Sequence, residues 1–167
     1  DLVPKIKKMI LKKNLIIVKN KINLNSNNIF LLQQMHTSKI FFINKSFRNS
    51  KKKIKADAVI TNQKKIPIAV LTADCVPILI YDNKKNMIAA VHAGWKGAFK
   101  GIINKVINFM LKKGCNKKNI ICAIGPCISQ NSYNVGQDLM NKFLKKNIKN
   151  KIFFKTRKNI IYFNLQA

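Results

Sequence analysis

Only two histidines occur in the chain, His36 and His92, and each sits in a short run of distinct character. His36 closes Gln34-Met35-His36, and His92 opens His92-Ala93-Gly94-Trp95-Lys96-Gly97. Between them stands Thr72-Ala73-Asp74-Cys75, a cysteine directly after an apolar run. Two imidazoles and one thiolate are enough to hold Zn²⁺ with a fourth position left open, and an open position separates a catalytic zinc from a structural one. His36, Cys75 and His92 are therefore the candidate metal ligands, and the expected class is an enzyme.

The neighbours of these three residues extend the site. Asp74 is a carboxylate in an otherwise apolar stretch, where such a group implies a partner or a task. Gly94 and Gly97 would let backbone N–H groups approach a ligand closely, and a helix starting just beyond them would favour an anion. Lys96 adds a mobile positive charge, so Gly94, Trp95, Lys96 and Gly97 read as a phosphate or carboxylate pocket. Gly125-Pro126-Cys127-Ile128-Ser129 supplies a tight turn after a strand, with Cys127 a candidate lining residue and Tyr133 and Asp138 close behind. Copper ranks below zinc. Two histidines cannot supply a multicopper cluster, and a blue-copper centre with Met35 or Met87 as axial ligand would need no anion pocket. A metal-free alternative stays open, with Cys75 as nucleophile and His92 as base, and Asp74 or Asp57 orienting the imidazole.

These residues need elements to carry them. Residues 15–19, 29–34, 39–43 and 58–61 are short apolar runs that read as strands. Residues 66–71, 76–81 and 87–91 are β-branched and nearly continuously apolar, as buried strands are. Ala98, Phe99, Ile102, Ile103, Val106, Ile107 and Met110 recur at three-and-four spacing and predict one amphipathic helix ended by Gly114. A strand at 120–124, a helix over 136–147 and a hairpin pairing 151–154 with 160–164 follow. Strands on both sides of a strong helix predict a layered α/β fold with a mixed sheet.

Composition narrows the class. The chain has 167 residues, one domain's worth, and is 47% hydrophobic, which excludes wholesale disorder. No apolar run is long enough to cross a bilayer, and Asp1-Leu2-Val3-Pro4-Lys5 lacks the order of a signal peptide. The net charge is +28, yet nearly all the cations are Lys, with only Arg48 and Arg157 to give bidentate phosphate or base contacts. Non-specific polyanion binding is expected, and a lysine-rich nucleic-acid-binding module is the runner-up outside enzymes. Cys75, Cys115, Cys122 and Cys127 form no CxxC pair, which fits a reducing, cytoplasmic compartment.

Five motifs occur in one order: Gln34-Met35-His36, Asp57-Ala58-Val59-Ile60-Thr61, Thr72-Ala73-Asp74-Cys75-Val76-Pro77-Ile78-Leu79, Val91-His92-Ala93-Gly94-Trp95-Lys96-Gly97 and Ile124-Gly125-Pro126-Cys127-Ile128. That order resembles the laccase-domain family, labelled polyphenol oxidase or multicopper oxidoreductase and also read as zinc-containing purine nucleoside phosphorylase. The resemblance implies an α/β/α sandwich of cysteine-hydrolase-like type. It also implies metal ligands at His36, Cys75 and His92, and substrate contact at Gln34. The implied partners are a purine nucleoside and phosphate, with adenosine deaminase, methylthioadenosine phosphorylase and polyphenol oxidase as side activities. Lys96 stands where the family's loop usually carries Arg, which loses a bidentate phosphate fork. Residues 1–167 read as one such domain, expected to be shortened at both ends.

Overall fold

The structure, a computed structural model, describes residues 2–21, 29–47 and 53–167; most of the basic loop expected at 51–53 lies outside them. The β-branched runs build a five-stranded mixed sheet from β2 (Ile40–Ile43), β3 (Ala58–Thr61), β5 (Val76–Asp82), β6 (Met87–Ala93) and β7 (Ile120–Ile124). Their order is β2-β3-β6-β5-β7, with β2 and β3 parallel and every other neighbouring pair antiparallel. The α/β class and the mixed sheet match the sequence reading.

Side chains alternate across this sheet. One parity, including Ala58, Ile60, Ala89, Val91 and Ile80, faces the main core with Ile102, Val106 and Met110 of α3 (Ile102–Lys112). Leu139 and Phe143 of α4 (Gln137–Lys146) join that core. Each fully buried Ile, Val or Met here contributes about 1.5–3 kcal/mol. The opposite parity, Val59 and Ala90, meets Leu32 and a group of half-buried aromatics that includes Phe30, Phe41 and Phe47. A small parallel pair, β1 (Phe30–Leu31) and β4 (Ile68–Ala69), accompanies that second face. A third, antiparallel sheet joins β8 (Asn134–Val135), β10 (Ile160–Phe163) and β9 (Phe154–Arg157).

Three expectations shift. Residues 15–19 lie inside helix α1 (Leu2–Lys21), with Ile16, Ile17 and Val18 exposed, so the apolar run is a helical segment and not a strand. The helix expected from 98 to 110 is two helices, α2 (Trp95–Phe99) and α3, broken where Gly101 takes φ 69°. The hairpin turns at Lys158 and Asn159, with φ 46° and 61°, and this moves its first strand from 151–154 to β9. Both positive φ values suit a right-twisted two-residue turn.

Candidate metal centre

The three donors arrive on separate pieces of backbone. His36 lies on the bend before β2, Cys75 immediately before β5, and His92 near the end of β6. β6 runs two residues beyond the expected stop at Val91, which places His92 within the strand and buries it. One ligand atom from each of His36, Cys75 and His92 lies within 4.8 Å of the others. The imidazoles meet edge to face, with ring centroids 4.8 Å apart. Tetrahedral zinc holds N and S donors about 3.3–3.7 Å apart, so small side-chain adjustments close the set. The donor chemistry fits a borderline-soft divalent ion.

Asp57, the wholly buried residue just before β3, organises this arrangement. Its Oδ1 accepts from the backbone N–H of His36 at 2.9 Å and of Met35 at 3.1 Å, and faces Nδ1 of His92 at 2.9 Å. Its Oδ2 accepts from the N–H and Oγ1 of Thr37, both at 2.7 Å. Burial alone would raise this carboxyl, but the hydrogen bonds from Thr37, His92 and Met35 outweigh it and hold the group below the usual carboxylate range. Three consecutive N–H groups wrapped around one carboxylate also explain the backbone of His36, at φ 55°. That left-handed conformation costs a non-glycine residue about 1 kcal/mol or more, and the ring of donors holds it in place.

The two glycines act through space. A Cβ at Gly94 would lie 2.9 Å from Cys75 Sγ and 3.2 Å from the His36 ring, so glycine leaves the room in which two donors meet. A Cβ at Gly97 would lie 3.0 Å from the carbonyl oxygen of Thr37, so position 97 is set by packing against the His36 segment. The helix that Gly94 precedes and Gly97 lies in, α2, has only five residues, too short for its start to add much to the anion pocket expected. Lys96 is exposed, with its Nζ 5.6 Å from the centre of the Trp95 ring, and Lys142 of α4 reaches the same ring at 5.6 Å.

Other candidates fall differently. Asp74 is exposed, so the expectation built on a carboxylate among apolar residues does not carry over; its charge still raises the Cys75 thiol and the Tyr133 phenol. Burial is the larger cause at both groups. Cys127 is half-buried, and its thiol donates to the Ile128 carbonyl. Both ends of the Gln34 carboxamide are engaged, donating to the Leu71 carbonyl at 2.7 Å and accepting the Leu71 N–H at 2.8 Å. Gln34 thus clips β4's flank to the His36 segment. Asp138 is exposed in the first turn of α4. Met87 sits five residues before His92 on an extended strand, about 16 Å away, and cannot be an axial ligand. Its sulfur instead accepts from Cys115. Asp57 is the residue whose weight the sequence understated; the signal was a carboxylate opening an apolar strand.

The fold is shared with a known group. A family model described as multi-copper polyphenol oxidoreductase laccase matches residues 7–167, and the chain belongs to that family. A Rickettsia conorii protein named purine nucleoside phosphorylase is 38% identical over 141 residues, covering 83% of this chain and 57% of its own. A protein from an unknown prokaryotic organism, named adenosine deaminase RL5, is 38% identical over 53% of this chain and 34% of its own. The crystal structure of the Bacillus licheniformis hypothetical protein YfiH superposes with a TM-score of 0.76 at 27% identity. It covers 87% of this chain and 57% of that one. The chain thus spans a little over half the length of the Rickettsia conorii protein and of YfiH.

Proposed function

We propose that the site is that of a zinc-dependent purine nucleoside phosphorylase, cleaving adenosine or inosine with phosphate to the free base and ribose 1-phosphate. The observation that carries this reading is the convergence of His36, Cys75 and His92 beside the space left by Gly94. The names of relatives such as the Rickettsia conorii protein supply the substrate class. Adenosine deamination, the activity in one relative's name, is the side reaction we assign first; methylthioadenosine phosphorolysis and phenol oxidation rank below it.

His36, Cys75 and His92 would hold zinc, with copper a weaker fit to the donor set. Bound there, the ion supplies a Lewis acid for a substrate oxygen and lowers the pKa of water for a deaminase reaction. Lys96 and Lys142, both against Trp95, offer two ammonium groups to a phosphate, and Trp95 offers an apolar face to a base. Each ammonium binds as a point charge, without the fork of an arginine. Asp74, exposed beside Cys75, is assigned proton exchange with the departing base, and Cys127 a place in the wall of the site.

A Cys75–His92 hydrolase is the second reading, favoured by the hydrogen bond of Asp57 to His92 with Cys75 within 4.8 Å of that imidazole. Two observations weigh against it. A third donor, His36, converges on the same point. Cys75 is pushed up by burial and by nearby negative charge, the reverse of an activated nucleophile. Elemental analysis of purified protein, run beside an assay for adenine released from adenosine and phosphate, tests the proposal. It expects close to one zinc per chain, phosphate-dependent adenine release and loss of both in Cys75→Ala. A Cys75→Ala protein that keeps its metal refutes the ligand set, and chelator-insensitive amidase activity would establish the hydrolase.

A further inference from the structure

We infer that Asp57 is the positioning residue of this centre, a single carboxylate that sets the His92 ring and the His36 backbone together. The inference rests on the metal reading above.

Every group around the Asp57 carboxylate is a donor. Oδ1 meets the N–H of His36 and Nδ1 of His92, both at 2.9 Å, and Oδ2 meets the N–H and hydroxyl of Thr37 at 2.7 Å. A carboxylate accepts only, so Nδ1 of His92 must carry its proton. Nε2 is then the only His92 nitrogen left for an ion. The same carboxylate holds His36 at φ 55°, on a segment 21 residues away in sequence. One buried group therefore orients the His92 ring and fixes the backbone that carries His36, while Gly94 keeps the space between His36 and Cys75 clear. Histidine ligands of metals commonly depend on such a partner, whose loss weakens binding roughly 10–100-fold.

Asparagine is the discriminating replacement. Whichever way its amide is turned, one oxygen becomes an NH₂ facing donors. With the NH₂ on the Oδ1 side, the His36 N–H and the His92 Nδ1–H both lose their acceptor; with it on the Oδ2 side, the N–H of Thr37, next to His36, loses its own, so the His36 segment is loosened in either case. A residue that merely filled space would not notice this change.

The test titrates the full chain and Asp57→Asn with Co²⁺, whose visible bands report coordination geometry and whose thiolate charge-transfer band reports Cys75. The expected result is a folded variant that keeps the thiolate band, loses the intensity of tetrahedral cobalt and binds roughly 10–100-fold more weakly. A folded Asp57→Asn with wild-type bands and unchanged affinity overturns the inference alone. A wild-type chain that takes up no cobalt overturns it together with the metal reading. Should the variant fail to fold, judged by far-ultraviolet circular dichroism, the decision passes to the zinc-loaded wild type. Long-range ¹H–¹⁵N correlation then resolves its two imidazoles. A proton on His92 Nδ1 with metal at Nε2 supports the assignment, and metal at Nδ1 overturns it.

Discussion

Burial pushes the Cys75 thiol up from its ordinary value, and the charges of Asp74 and Asp57 push the same way. A neutral thiol is a poor nucleophile and a poor ligand, so a thiolate here at neutral pH needs a cation beside it. Metal-stripped protein should therefore react slowly with iodoacetamide at Cys75 near neutrality, with the rate climbing only above pH 9, the ordinary thiol value. Zinc should protect it throughout. Peptide mass spectrometry separates Cys75 from the exposed Cys122, and rapid alkylation of Cys75 in acid would instead reveal an ion-paired nucleophile. At this scale the converging donors were legible because histidine is so scarce in the chain that each one stands out. The part played by Asp57 was hidden, since its donors come from segments 20–22 and 35 residues away. The role proposed for Gln34 came from resemblance, and sequence held no sign that Leu71 would occupy its amide.

At the scale of elements, Asp82 does for the β5–β6 turn what Asp57 does for the metal segment. It is wholly buried, accepting the N–H groups of Lys84 and Lys85 at 2.9 Å and that of Asn116 at 3.1 Å. The Lys85 hydrogen bond leads the set that holds its carboxyl below the ordinary 3.8, against the opposing effect of burial. A depressed carboxylate contributes stability that is fully present above its unfolded-state value and is lost as pH falls through the folded one. Asp82→Asn should accordingly unfold at lower denaturant near neutrality and lose less stability than wild type as pH drops below 3.8. Urea midpoints across that range measure both effects; parallel curves would contradict the account. Strands β3, β5, β6 and β7 were legible because their β-branched residues have one plausible use. The apolar run at 15–19 was not, because five residues of mixed periodicity do not tell a strand from a stretch of helix. The break at Gly101 was written in the sequence, but the apolar spacing continues across it.

At the scale of the molecule, the described residues cover the two faces of the sheet unequally. The α3–α4 face is packed, whereas on the other face Leu79, Tyr81 and Ile121 are exposed. Together with Ile68, Ile88 and Ala123 they line an apolar recess of about 310 Å³. Strand β7 is also an edge of the sheet, and its last residue, Ile124, is exposed. Periodicity could show that β5 and β7 were apolar on both sides, but not which side would lack a cover. Ile121→Lys should lower the fluorescence of 8-anilinonaphthalene-1-sulfonate, the dye that reports such surface, without lowering the melting temperature. Equal dye binding in the two proteins would show the recess to be closed.

The open strip has a colloidal consequence. Copies carrying a net charge of +28 repel one another in dilute buffer, and that repulsion shortens to about 10 Å in 0.1 M salt. Added sodium chloride should then bring greasy edges within reach of each other, so this basic protein becomes less dispersed, not more, as ionic strength climbs.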